Sequence, residues 1–262
     1  MDRIKPSQAN KTIVSLLERD FPARIRLVGV LEGRLPGIVL TDDARQPSWA
    51  VLQEKLYGTL FPSANMDPLT FTGLIRDLMS EGEVLLGCLD GDPLLESIAL
   101  KPDYEGRVFD FTDRDPNINL AQFEKSLPAG FRVVPLEKAV QERRPNSAAS
   151  GDDEKELEEY LDGEYGYCLM REGQIISAAT GGASIDGVID LGVATLPKYR
   201  KQGYASMLAA RLVAQCEAGG FQTYWNCNSI NTPSLRMTKK LGYRTEREYS
   251  ILAWSQTTDH QQ

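Results

Sequence analysis

The sequence predicts an α+β protein in two halves, 1–128 and 129–262. Three observations carry that prediction. Short runs of β-branched and aromatic residues alternate with segments of helical spacing along the whole chain. Two apolar runs, 165–169 and 174–180, meet at Glu172-Gly173, a hairpin signal. A length of 262 residues favours two domains over one.

The first half is expected to hold a short helix over 12–20, with Ile13, Val14, Leu16 and Leu17 on its apolar side. Two β-like runs over 24–40 flank Glu32-Gly33 and predict a hairpin, and 49–61 reads as another strand region. Pro68 opens a helix over 68–79, with Leu74, Ile75 and Leu78 apolar. Strands over 84–89 and 107–112 and a helix over 120–127 complete this half. It carries no recognisable chemical motif, and its aromatic residues serve core packing or line a pocket.

In the second half, 130–137 reads as a strand and 137–143 as a helix. The polar stretch 143–159 reads as a solvated linker or an active-site lid. After the hairpin comes a strand over 187–195, in which Gly192 signals a bulge or a close backbone approach. A helix follows from Gly203, with Ala205, Leu208, Leu212 and Cys216 on one face and Gly219-Gly220 as its stop. A strand over 221–227, a helix opened by Thr232-Pro233 and closed by Gly242, and a strand over 246–254 end the folded part.

Composition excludes several chemistries. Against 29 Lys and Arg stand 37 Asp and Glu, a net charge of −8, which argues against a nucleic-acid partner. The sole histidine is His260, in the polar tail, so Ser-His-Asp and Cys-His mechanisms lack their base and histidine metal sites lack their ligands. Cys88, Cys168, Cys216 and Cys227 lie far apart, so neither a zinc site nor a redox dithiol is expected. With no apolar leader near Met1 and no run of about 20 apolar residues, the expected location is a reducing cytoplasm, without membrane contact. Neither G-x-G-x-x-G nor a Walker loop occurs.

The informative stretch is 187–204. A strand ends at Pro197, and Lys198, Arg200 and Lys201 lie just before Gly203 and the helix. A glycine at a helix entry lets backbone N–H groups converge where the helix dipole is positive, which is phosphate-binding geometry. Arg200-x-x-Gly203-x-Ala205 resembles the Q/R-x-x-G-x-G/A signature of the GNAT N-acetyltransferase superfamily. Downstream, Asn231, Ser234, Lys240, Gly242 and Tyr243 resemble that family's second motif. The resemblance covers 131–254 and implies a mostly antiparallel sheet flanked by helices, built in the order β α β β β α β α β. The first half is then a smaller α+β domain or a degenerate copy of the same fold.

The resemblance also implies a function: transfer of an acetyl group from acetyl-CoA to an amine of a small-molecule acceptor. The alternative is a weakly catalytic acyl-CoA sensor or interaction module, with a homodimer among the assemblies to expect. It assigns the pantetheine arm to Val193, Ala194 and Thr195, with a backbone N–H near Val193 on the thioester carbonyl. It assigns the diphosphate to Arg200, Lys201, Gln202, Gly203, Tyr204 and Ala205, and a further cofactor contact to Asn231, which equally suits a helix cap. Such chemistry needs a base, because a free alkylamine has a pKa of about 10, and an acid for the leaving thiolate. Asp190 is the candidate base, acting through water, or else a strand residue making a cross-strand contact. The family's usual acid, a tyrosine seven positions after the motif asparagine, is replaced here by Thr238. Tyr243 is the nearest catalytic candidate, with core packing as its other role.

Overall fold

The structure is a computed structural model, which describes residues 1–143, 155, 157–245 and 247–256. The chain forms two compact units, one of Met1–Asp110, Asn226–Asn231 and Arg247–Gln262, the other of Phe111–Trp225 and Thr232–Glu246. This differs from a single cut after residue 128, because the last strand joins the sheet of the first unit.

In chain order the first unit holds β1 (Asp2–Ile4), α1 (Lys11–Leu16), α2 (Arg24–Leu31), β2 (Gly37–Thr41), β3 (Ala50–Glu54) and β4 (Thr59–Pro62). It continues with α3 (Pro68–Met79), β5 (Val84–Cys88), α4 (Pro93–Ser97) and β6 (Tyr104–Phe111). The second unit holds β7 (Phe131–Pro135), α5 (Leu136–Glu142), β8 (Tyr165–Arg171), β9 (Gln174–Gly181) and β10 (Val188–Thr195). It adds α6 (Tyr204–Ala218), β11 (Gln222–Asn228) and α7 (Thr232–Leu241), before β12 (Arg247–Trp254) returns to the first unit.

Within the first unit the strand order is β1-β2-β3-β4-β5-β12-β6. Its neighbours are antiparallel except β4 and β5, which run parallel around the α3 crossover. Strand alternation sorts the apolar residues into two cores. Val39, Leu52 and Phe61 pack with Leu27 and Val30 of α2, whereas Leu40, Val51 and Leu60 pack with Phe71, Leu74 and Leu78 of α3. Each such buried side chain contributes about 1.5–3 kcal/mol.

Two expectations for this region are corrected. The hairpin expected over 24–40 is a helix followed by one strand. Leu27 and Val30, three apart, are buried, and Glu32-Gly33 is the stop of α2: Gly33 takes φ 72°, and Gly33 and Arg34 N–H donate to the carbonyls of Val30 and Gly29. The helix expected over 120–127 is only a 3-10 turn, Leu120–Phe123, capped by the Asn119 side chain. The linker or lid expected over 143–159 falls mostly outside the described residues.

The second unit's strands run β11-β10-β9-β8-β7. Glu172 and Gly173 take φ 52° and 81°, the left-handed pair that a tight hairpin requires, and join β8 to β9. β10 is antiparallel to β9 and parallel to β11, around the α6 crossover. α6 buries Met207, Leu208, Leu212, Val213 and Cys216 and stops at Gly219-Gly220, where Gly220 takes φ 80°. Thus β2-β3-β4-α3-β5 and β8-β9-β10-α6-β11 follow one plan: three antiparallel strands, then a helical crossover to a parallel fourth. The first half repeats the second in topology without repeating it in sequence.

Candidate active site

β10 changes partners midway. Its ladder with β11 runs from Val188↔Gln222 to Asp190↔Tyr224, and its ladder with β9 from Leu191↔Gly181 to Thr195↔Ser177. Asp190 therefore stands where β10 leaves β11, and Val193, Ala194 and Thr195 lie just beyond, all half-buried. The strand end is tied down: Ser177 Oγ donates to the Ala194 carbonyl (3.0 Å) and lies 2.7 Å from Thr195 Oγ1. The register with β9 is unbroken, so Gly192 marks a close approach and not a bulge. A Cβ there would lie 2.8 Å from Cδ1 of Tyr160.

Beyond β10 the loop is held by short-range bonds. Arg200 Nε donates to the Thr195 carbonyl (2.9 Å), and Tyr199 and Arg200 N–H close a 3-10 turn on Leu196 and Pro197. Lys201 and Gly203 both take left-handed φ, 62° and 80°. Glycine accepts that conformation without cost, but lysine there costs about 1–2 kcal/mol, and residues held so cluster at functional sites.

α6 then begins with no side chain capping it, so its first-turn N–H groups point outward without an intrahelical acceptor. The matching crossover helix in the first unit differs. There the Asp67 carboxylate accepts from Thr70 N–H (2.8 Å), and Pro68 removes a further donor. One helix start carries its own anion, and the other offers donors and cations.

Lys125 is a functional candidate that sequence reading missed. Its ammonium donates to the Gln202 carbonyl and lies 4.8 Å from the Tyr204 ring centroid. The preceding Glu124 takes a bidentate bond from Arg211 of α6 (2.5 and 2.6 Å), which fixes the segment. Lys125 lies 76 residues upstream of Lys201 in sequence and belongs to no motif, so no spacing rule exposes it. Tyr204 is buried, its ring packed 5.9 Å from Phe131, so at that position the backbone, not the phenol, is offered.

The remaining expected residues fall elsewhere. Tyr243 is 4% exposed, its hydroxyl bonded to Thr223 Oγ1, and burial pushes the phenol well above its ordinary pKa. That is the environment of a core residue, not of an exposed proton donor. Thr238 is fully buried, its hydroxyl donating to the Leu235 carbonyl (3.0 Å), so this position faces the core. Asn231 belongs to the segment that clusters with the first unit, and its N–H donates to the Asn228 carbonyl (2.9 Å). The structure thus gathers Asp190, Val193–Thr195 and Arg200–Ala205 within the second unit, together with Lys125. A polar cavity of about 290 Å³, lined by Arg114, Glu217 and Thr223 among others, lies near the other end of α6 and includes none of these residues.

All four cysteines are buried and none is in a disulfide. Burial pushes Cys88 and Cys168 up to about 12 and Cys216 up to about 11, which makes them inert thiols. Among the described residues no helix is long and apolar enough to cross a membrane.

Comparison with known proteins bears on the fold and the family. A solved GCN5-related N-acetyltransferase-like protein from Streptococcus suis 89/1591 is 23% identical, with a TM-score of 0.67 over 95% of this chain and 99% of that one. A tandem GNAT protein from the clavulanic acid biosynthesis pathway is 10% identical, with a TM-score of 0.61 over 97% and 98%. The chain is 29% identical over 87 residues to the Uncharacterized N-acetyltransferase YdfB of Bacillus subtilis (strain 168), a match that spans 33% of each protein. The model of the GNAT acetyltransferase family matches residues 99–252, more than half of the chain, and the protein belongs to that family.

Proposed function

We propose that the second unit is an N-acetyltransferase that moves an acetyl group from acetyl-CoA to the amine of a small molecule. The observation that carries this reading is the uncapped start of α6, entered through left-handed Lys201 and Gly203. Its N–H groups, with Lys125, Lys198, Arg200 and Lys201, suit a diphosphate. In a chain of net charge −8, four cations at one helix start favour an anionic occupant.

Acetyl-CoA bound there would supply an acyl carbon activated as a thioester. Val193–Thr195, past the end of the β10–β11 ladder, would pair with the pantetheine arm, and the Val193 N–H would donate to the thioester carbonyl. Asp190 would accept the amine's proton through water, leaving a neutral nitrogen to attack. Tyr243 is not assigned a chemical step, because its hydroxyl is already bonded to Thr223. The buried thiols suit a reducing cytoplasm.

A second reading keeps the binding and drops the catalysis. The buried Thr238 in place of a tyrosine favours such an acyl-CoA sensor. Titration calorimetry with CoA, followed by thiol release from acetyl-CoA against a polyamine, an aminoglycoside, an amino acid and a peptide, tests both. Binding with release supports the transferase, and binding without release supports the sensor. No binding at millimolar CoA removes both.

A further inference from the structure

Gly192 sits on β10 between Leu191 and Val193. A Cβ built there would meet Cδ1 and Cε1 of Tyr160 at 2.8 and 2.9 Å and Thr180 Oγ1 at 3.8 Å. Real Cβ atoms do not approach so closely, so the tyrosine ring occupies the place that a side chain of β10 would otherwise fill. Tyr160 stands on the 3-10 turn Glu159–Asp162. Leu161 is buried and anchors that turn, while Tyr160 itself stays half-buried.

The covalent geometry of tyrosine sets the hydroxyl next to Cε1. A ring whose Cδ1–Cε1 edge lies on the Gly192 backbone therefore keeps its phenol oxygen beside β10. Strand alternation points residues 190 and 192 to one face. Asp190 and the ring above Gly192 thus flank one stretch of strand, next to Val193. Neither position where the sequence suggested a proton donor supplies one: Thr238 is buried and Tyr243 is bonded to Thr223.

We propose that Tyr160 is the proton donor to the leaving sulfur, an inference that rests on the acetyl-transfer reading above. The amine nitrogen forms a bond to the acyl carbon, and the carbon–sulfur bond breaks. The sulfur takes the proton from Tyr160 Oη as it leaves. The nitrogen, freed of one proton by Asp190 before attack, releases its second to water, and solvent returns a proton to the phenolate and takes the first from Asp190. No oxidant or further reactant is needed.

The test is Tyr160→Phe, which keeps the ring over Gly192 and removes only the hydroxyl. It is assayed with acetyl-CoA and an amine that the wild type accepts. Turnover is expected to fall on the order of 100-fold, with the alkaline limb of the pH profile abolished and the calorimetric Kd for CoA within about twofold of wild type. A crystal structure with CoA should bring Tyr160 Oη within hydrogen-bond reach of the sulfur. Wild-type turnover by Tyr160→Phe overturns the proposal. So does a phenol directed away from the sulfur, or a defect seen in Tyr160→Ala but not in Tyr160→Phe, which marks a packing wall. A wild type that binds no CoA sinks the transferase reading itself, a separate outcome.

Discussion

Lys125 Nζ donates to the carbonyl oxygen of Gln202, one residue before the glycine that opens α6. An ammonium next to a helix N-terminus sets like charges side by side. An arriving diphosphate relieves that repulsion and keeps the cation close. Lys125→Met is expected to weaken CoA binding about three- to tenfold and to flatten the dependence of log Kd on salt. Lys125→Arg should recover most of the loss. Calorimetry between low and high salt reads both effects. Unchanged affinity and an unchanged slope would show that Lys125 only pins the loop.

Glu124, beside Lys125, supplies a pH dependence. The bond from Arg211 holds its carboxyl below the usual carboxylate range. A pKa depressed in the folded state stabilises above the unfolded pKa of about 4.3, and that contribution is lost as pH falls through the folded value. Glu124→Gln should therefore be less stable than wild type at neutral pH and indistinguishable from it in acid. Urea denaturation at the two pH values reads the difference, and screening of this half-exposed pair keeps it small.

Gly203 takes φ 80°, and among the described residues outside its own chain neighbours and helix backbone the atom within 4 Å of its missing Cβ is Lys125 Nζ at 3.7 Å. Gly203→Ala should therefore cost strain without a clash, about 1–2 kcal/mol of stability, seen as a lower Tm. Gly203→Glu adds an anion where a phosphate is expected and should suppress CoA binding far more than its stability loss explains. Arg200→Ala should weaken CoA binding more than the loss of its exposed bond to the Thr195 carbonyl lowers Tm.

Tyr243 and Thr223 share a buried hydrogen bond. Tyr243→Phe leaves the threonine hydroxyl unsatisfied and should cost about 1–2 kcal/mol of stability, read by urea denaturation. Thiol release should be unaffected once the variant is folded. Turnover reduced by about 100-fold or more at wild-type stability would restore Tyr243 to the chemistry.

What the sequence made legible is what local chemistry dictates. Glu172-Gly173, Gly203 and Gly219-Gly220 need particular backbone angles, and each marks the turn or helix end expected of it. Pro68–Met79 was legible because a Pro in the first turn and the apolar Leu74, Ile75 and Leu78 agree. Glu32-Gly33 misled because the same dipeptide serves a hairpin turn and a helix stop, and tertiary burial of Leu27 and Val30 decides between them. Lys125 and Tyr160 stayed hidden for another reason. Each meets its partner through folding of a distant segment, Lys125 78 residues from Gly203 and Tyr160 32 from Gly192, so no periodicity records the meeting. A degenerate copy in the first half was one of two alternatives the sequence left open, since a strand order survives when no residue pattern does.

The contact between Gly192 and Tyr160 can be tested apart from catalysis. Gly192→Ala drives a methyl group into a ring edge less than 3 Å away. Overpacking of that kind costs about 1–3 kcal/mol when the neighbour cannot shift. Leu161 is buried and anchors the turn that carries Tyr160, so the ring can yield only by turning about its own side-chain bonds. Tyr160→Ala alone empties the space over Gly192 and should also destabilise. In the double variant the new methyl enters the space left by the ring. The combined loss should fall short of the sum of the single losses by about 0.5 kcal/mol or more, the size of coupling expected between touching residues. Additive losses in urea denaturation would mean that the ring does not rest on β10 in solution, and the proton-donor assignment would lose its geometric basis with it.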